Sequence, residues 1–186
     1  MCLTPEEFRD AFANDGIATF LSEAVSSLPI GIEDADWLTN VGLPRSAAPF
    51  LSFGSNHEIN IPTLKELWGV SDGSRYRVIG SNGSGDPIAI DTEANGAIVY
   101  LNHDNAFQRV FINSSVTKLA EVVLAYRQLI VEALAAGGPE AYLDGKVPPE
   151  SLQRFVSIVT TLDPPAIESG MWVEEIEELQ GRAETG

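Results

Sequence analysis

The sequence has 186 residues, of which 44% are hydrophobic and 20% charged. That length supports one core burying about 70% of the unfolded chain's surface, and the composition excludes a collagen-like or wholly disordered chain. With 27 acidic and 11 basic residues the formal net charge is −16. Such a field repels phosphate backbones and anionic lipid heads, so nucleic-acid and membrane binding are not expected; a cationic protein partner, a metal or simple solubility all fit it. The one cysteine, Cys2, permits no intramolecular disulfide and no cysteine-based zinc site, which suits a reducing compartment. The opening MCLTPEEFRD lacks a basic and then apolar leader pattern, and no apolar run reaches the roughly 18 residues of a membrane span. The expectation is a cytoplasmic protein with one domain over residues 1–180 and a disordered tail at 181–186.

In chain order, Thr4-Pro5-Glu6-Glu7 is a capping box with proline at the first helical position, so a helix follows through Phe8 and Phe12. Asn14-Asp15-Gly16 stops it. Ile17, Phe20, Leu21, Ala24, Val25 and Leu28 resume the same period and predict a second amphipathic helix. Prolines and glycines break the pattern from Pro29 to Pro62, predicting loops with short extended pieces at Pro49–Phe53 and Glu58–Ile61. Thr63 to Trp68 predicts a helical turn or two. Tyr76–Ile79, Ile88–Ile90 and Ala97–Tyr100 are short β-branched or aromatic runs between polar turns, an antiparallel meander to which Gln108–Ile112 adds a strand. Asn95-Gly96 reads as a hairpin turn, because both central residues of a type I′ turn need positive φ.

Ser114 or Ser115 caps a long helix whose apolar positions, Val116 through Leu134, keep a 3.6-residue period as far as Gly137-Gly138. Further helices are predicted over Glu150–Leu162 and Ala166–Gln180, each after a Pro-Pro pair. Helices, then a block of strands, then helices again indicate an α+β fold rather than an alternating α/β one.

Several segments mimic sites. Gly69-Val70-Ser71-Asp72-Gly73 matches the G-x-S-x-G nucleophile elbow, but with a helix before it and a strand after it, the reverse of what the elbow needs; an Asp-Gly turn is the plainer reading. Asp91 to Gly96 resembles the start of a calcium loop, yet position twelve is Asn102 instead of a bidentate glutamate. The glycine-rich Gly80 to Gly85 lacks the Lys-Ser/Thr ending of a phosphate loop, and Asp86 would repel a phosphate. His57 and His103 adjoin Glu58 and Asp104 without any metal-ligand spacing. Glu174, Glu175, Glu177 and Glu178 read either as the solvated face of the last helix or as a surface for a basic partner.

Four segments carry a family resemblance. These are Leu38-Thr39-Asn40-Val41-Gly42-Leu43-Pro44-Arg45; the hairpin from Val78-Ile79-Gly80-Ser81 through Asp86, Ile90-Asp91 and Gly96 to Tyr100; Phe111-Ile112-Asn113-Ser114-Ser115; and Trp172 with its acidic neighbours. In their order and spacing the chain, over about Trp37 to Leu179, resembles the SUKH superfamily, most nearly its fourth family of bacterial immunity proteins against polymorphic toxins. The resemblance implies one mainly antiparallel sheet flanked by helices, no catalytic, cofactor or metal site, and binding of a cognate toxin, often a nuclease or deaminase, in the producing cell's cytoplasm. Other superfamily members regulate cell-wall synthesis or bind further proteins.

The leading expectation is therefore a non-enzymatic protein that covers a basic toxin domain. Its contact residues are expected at Asp86, Asp91, Glu93 and Asp104 around the hairpins, followed by Glu174, Glu175 and Glu178. The rivals are a regulatory scaffold of the cell-wall-control type and a hydrolase using Ser71 with His57 or His103. The oligomeric state is left open.

Overall fold

The computed structural model describes the backbone of residues 3–185 and side chains through Gly181; Cys2 and Gly186 lie outside the described residues. Helix α1 (Pro5–Ala11) begins as the capping box requires, with the Thr4 hydroxyl accepting from the Glu7 amide and the Glu7 carboxylate accepting from the Thr4 amide. The predicted second helix is largely replaced. Ile17 and Ala18 form strand β1, paired with Pro44 and Leu43 of β2 (Leu43–Pro44), and only α2 (Ser22–Val25) is helical. The cause is tertiary: the Phe20 amide donates to the Leu38 carbonyl and the Leu21 amide to the Glu58 carbonyl, so the backbone is held outward where a helix would turn it inward. Ala18, Phe20, Ala24, Val25 and Leu28 are all buried, but from two elements.

Helix α3 (Ile32–Asp36) continues as a π-turn over Trp37–Val41. Of the extended pieces expected next, only β3 (Ser52–Phe53) forms, since Pro49 and Phe50 lie in a turn closed by reciprocal backbone bonds between Ala47 and Leu51. Glu58–Ile61 is a turn rather than a strand, with the Ile61 amide donating to the His57 carbonyl. Helix α4 (Leu64–Trp68) has a second capping box, Thr63 with Glu66.

The meander is present as β4 (Tyr76–Ser81), β5 (Pro87–Asp91), β6 (Ala97–Asn102) and β7 (Gln108–Asn113), and with β3 it makes a five-stranded antiparallel sheet in the order β3-β4-β5-β6-β7. Asn95 and Gly96 both adopt positive φ. Their turn is nonetheless longer than the two-residue form, because Asp91 pairs with Ala97 and leaves five residues between the strands. The fold is α+β, as expected.

Helix α5 (Val116–Gly137) is capped by Ser115, whose hydroxyl accepts from the Lys118 amide, and by buried Asp34, which accepts from the Thr117 amide at 2.9 Å. A carboxylate there also complements the positive end of the helix dipole. Helix α5 belongs to the large core on one side of the sheet, which joins residues from Phe8 to Leu179. On the other side Leu64 of α4 covers a smaller cluster, Val78, Ala89, Val99 and Leu101. Helix α6 (Pro149–Leu162) sets Phe155 edge-on against Tyr126 of α5. The helix predicted from Ala166 divides into a 3₁₀ turn at Pro164–Ile167 and α7 (Met171–Thr185), so the helix extends into the 181–186 segment expected as a tail. No helix among the described residues is long and apolar enough to cross a membrane.

A buried polar cluster seats α7. Asp163, Asn113 and Trp172 are each fully buried. Asp163 accepts from the Asn113 side chain (2.9 Å), the Ser114 amide (2.8 Å) and the Ser114 hydroxyl (2.5 Å), with the Lys118 ammonium at 3.3 Å. Asn113 in turn accepts from the Trp172 indole N–H at 3.0 Å. Gly170, at φ +101°, lets the chain pass β7 so closely that a Cβ would lie 2.3 Å from the Phe111 carbonyl oxygen. Asp163→Ala strands three donors and an ammonium, and is expected to cost about 3–5 kcal/mol in urea unfolding, whereas Asp104→Ala at the exposed hairpin should change stability by less than about 0.5 kcal/mol.

Candidate functional site

With Trp172 and Leu179 directed into the core, the helical period turns Met171, Glu174, Glu175 and Glu178 toward another side of α7. They form one wall of an open groove of about 470 Å³. The facing wall consists of Pro49, Phe50 and the β4–β5 turn at Asn82, Gly83 and Ser84; Tyr100 of β6 and Tyr142 complete the lining. The opposing turns fit because residue 83 has no side chain: a Cβ there would lie 2.8 Å from the Phe50 Cβ. Phe50 itself is 70% exposed. The Asn82 side chain holds the turn, its oxygen accepting from the Ser84 and Asp86 amides and its amide donating to Asp86.

The three glutamates differ in their surroundings. Glu175 is partly buried, its carboxylate within hydrogen-bond reach of the hydroxyls of Tyr126 and Tyr142, which lie 2.9 Å from each other and share two protons among the three contacts. Burial, reinforced by the Glu175 charge, pushes the Tyr126 phenol far up, so it stays a neutral donor. Tyr100 is pushed up to about 12 by burial, by the charges of Glu174 and Asp86 and by its hydrogen bond to Glu174. Glu174 and Glu178 are exposed. The groove thus sets the Tyr100 phenol, which remains protonated at neutral pH, beside the exposed Glu174.

The hairpin residues separate into two kinds. Asp91 is fully buried and accepts from Arg75 through both oxygens (2.8 Å each) and from Arg109 at 3.0 Å, so it braces the end of the sheet and presents no surface to a partner. Asp86 is 5% exposed and accepts from the His103 backbone amide at 2.9 Å and from Asn82, with the His103 ring at 2.7 Å. Burial alone would raise the Asp86 carboxyl, but those bonds prevail and hold it below the ordinary carboxylate range. Glu93 and Asp104 face outward, 67% and 88% exposed at the side chain, with Glu93 paired to Arg75 at 2.9 Å. The expected contact set is therefore split: Glu174, Glu175 and Glu178 share a groove with the β4–β5 turn, while Asp86 and Asp91 are internal and Glu93 and Asp104 stand elsewhere on the surface.

The remaining motifs take structural places. Ser71 is in a turn ahead of the 3₁₀ segment Gly73–Arg75 and bonds to neither histidine. His103 has its ring against Asp86, with the Trp68 ring tilted beside it at 5.9 Å between centroids. His57 lies in the 54–61 turn, its Nδ1 buried with no partner among the described residues, and burial lowers its pKa. The calcium-like loop begins with the carboxylate that the two arginines saturate. Among the described residues no three His, Cys, Asp or Glu side chains gather as a metal set. Sequence reasoning missed Phe50, Tyr100 and Tyr142, and also an exposed aromatic patch in which Trp68, 49% exposed, meets Phe107 edge-on. Alternation on β6 put Tyr100 opposite Leu101, but nothing local marked Phe50 or Tyr142.

The SUKH-4 immunity protein family model matches residues 3–178. The chain belongs to this family. No curated protein and no solved structure matches it. Two of the four segments that carry the resemblance meet in space: Asn113 and Ser114 join Asp163, and Trp172 closes the cluster. Family membership points to toxin immunity.

Because Asp86 titrates below its unfolded value, the unfolded chain binds the extra proton as pH falls, and the stabilisation from this carboxylate is lost from about pH 4 downward. Above about pH 5 wild type should exceed Asp86→Asn in stability. Urea midpoints measured from pH 3 to 7 should show that margin shrinking below about pH 4.

Proposed function

We propose that this protein is a non-enzymatic immunity protein that acts in the cytoplasm, binding and neutralising a cognate toxin whose exposed surface is basic, as in a nuclease or deaminase domain. The observation that supports this most is the charge arrangement. At least seven of the 11 basic residues are held in ion pairs with the protein's own acids, so the excess of 27 acids over them is left to dominate the outer field. An anionic surface steers a basic partner into encounter and competes with that partner's polyanionic substrate. The contact residues in this reading are the outward acids Glu93, Asp104, Glu174 and Glu178, with Asp86, Asp91 and Glu175 supporting the surface from beneath.

The test begins with affinity capture from the source organism at low and moderate salt, then co-expression of the captured basic domain with this chain in a sensitive host. Restored growth supports immunity; continued killing despite soluble expression rejects it. The double reversal Glu93→Lys/Asp104→Lys should slow association by about tenfold at low salt and flatten its salt dependence. An unchanged association rate would remove these two acids from the contact surface.

A further inference from the structure

The turn from Gly54 to Ile61 brings a histidine and a strained backbone together. It closes on itself, the His57 amide donating to the Gly54 carbonyl and the Ile61 amide to the His57 carbonyl. Ser55, Asn56 and Ile61 take positive φ, at 48°, 73° and 41°, a region unfavourable to any residue with a Cβ and most of all to a β-branched one. Ile61 is nonetheless fully buried, so the core holds the strain in place. The His57 Nδ1 is buried with no partner among the described residues. When both ring nitrogens carry protons, that N–H therefore has neither water nor an acceptor. The charged groups around the turn are Glu58 next to the histidine, Arg45 paired to Glu58 at 2.9 Å, and Arg77 of β4, whose Nη2 donates to the Asn60 carbonyl at 3.2 Å. Burial lowers the His57 pKa and prevails over the Glu58 charge, which acts to raise it.

The same turn clamps its neighbour. The Glu58 carbonyl accepts from the Leu21 amide at 2.8 Å, and Gly54 approaches β1 so closely that a Cβ would lie 2.7 Å from the Ala18 Cβ. We propose that the 54–61 turn is a proton-sensitive latch: a doubly protonated His57 ring opens it and frees the Leu21 amide from Glu58, loosening the chain that follows β1. In the open turn the ring meets water and titrates at about 6.5, the ordinary value for histidine; in the closed turn it takes the proton less readily. Closure is therefore fully favoured above about pH 7 and loses ground as pH falls through about 6.5. Relief of the backbone strain at Ser55, Asn56 and Ile61 favours the same opening.

Amide hydrogen exchange on the full chain at pH 7.5 and 5.5, expressed as protection factors so that the intrinsic pH dependence of exchange cancels, tests the latch. Protection of the Leu21, His57 and Ile61 amides should fall about threefold or more from the higher to the lower pH. At pH 5.5 these amides should also exchange at least tenfold faster than those of β5, which marks the opening as local. His57→Gln, uncharged at either pH, should abolish the fall and separates this ring from His103 and from every carboxylate. No fall in wild type, the same fall in His57→Gln, or exchange that keeps pace with β5 would overturn the proposal. Should His57→Gln not fold, a carbon-proton NMR titration of the wild-type rings decides: a His57 ring titrating at or above about pH 6.5 overturns the latch, and one titrating lower supports it.

Discussion

The carboxylate of Asp163 is the point on which the seating of α7 turns. Removing an ionised group fully from water is costly unless every oxygen finds donors. Here the donors are the Asn113 amide, the Ser114 backbone and hydroxyl and the Lys118 ammonium. They come from the end of β7 and the start of α5, so satisfying one buried charge also fastens the chain between α6 and α7 to the sheet. Trp172, bonded to Asn113, then sets the rotation of α7. Once that tryptophan is inward, the helical period leaves Met171, Glu174, Glu175 and Glu178 no choice but to line the groove. The immunity-family segments around Asn113-Ser114 and Trp172 are thus one physical device, separated by 59 positions in sequence and joined by an aspartate between them.

The other acids divide by the company they keep. Asp91 between two arginines and Asp86 under His103 are internal ties that hold strand ends and a turn in register. Glu175 is a tie as well, made to tyrosines. Glu93, Asp104, Glu174 and Glu178 point outward. A net charge of −16 therefore divides between carboxylates turned inward as ties and carboxylates turned outward, where they set the field at the surface. Arginines 75 and 109 are committed to Asp91 and Arg45 to Glu58.

Much of this was legible in the residues. Local rules were enough where one element satisfies itself: the capping boxes at Thr4 and Thr63, the Ser115 cap and 3.6-residue period of α5, and the alternating runs from Tyr76 to Asn113. They failed at Ile17 to Leu28, where apolar spacing fits a helix but bonds to Leu38, Glu58 and Leu43-Pro44 impose a strand and a short turn of helix. They failed again at Glu58–Ile61, where the Ile61 amide turns back to the His57 carbonyl. Of the site, the acidic face of α7 was visible as a cluster. Phe50 and Tyr142 were not, because their part comes from loops whose positions depend on contacts with Gly83 and with Tyr126.

What the sequence determined by itself was the α+β class, the acidity that disfavours nucleic acid, and a family whose members confer immunity, all of which depend on composition, local periodicity and ordered motifs. Which acids are internal and which face outward was decided only by the tertiary structure. Exposure of a carboxylate depends on donors brought from distant segments, as Arg109 is to Asp91 across 18 positions and Asn113 to Asp163 across 50, and no local pattern encodes that meeting.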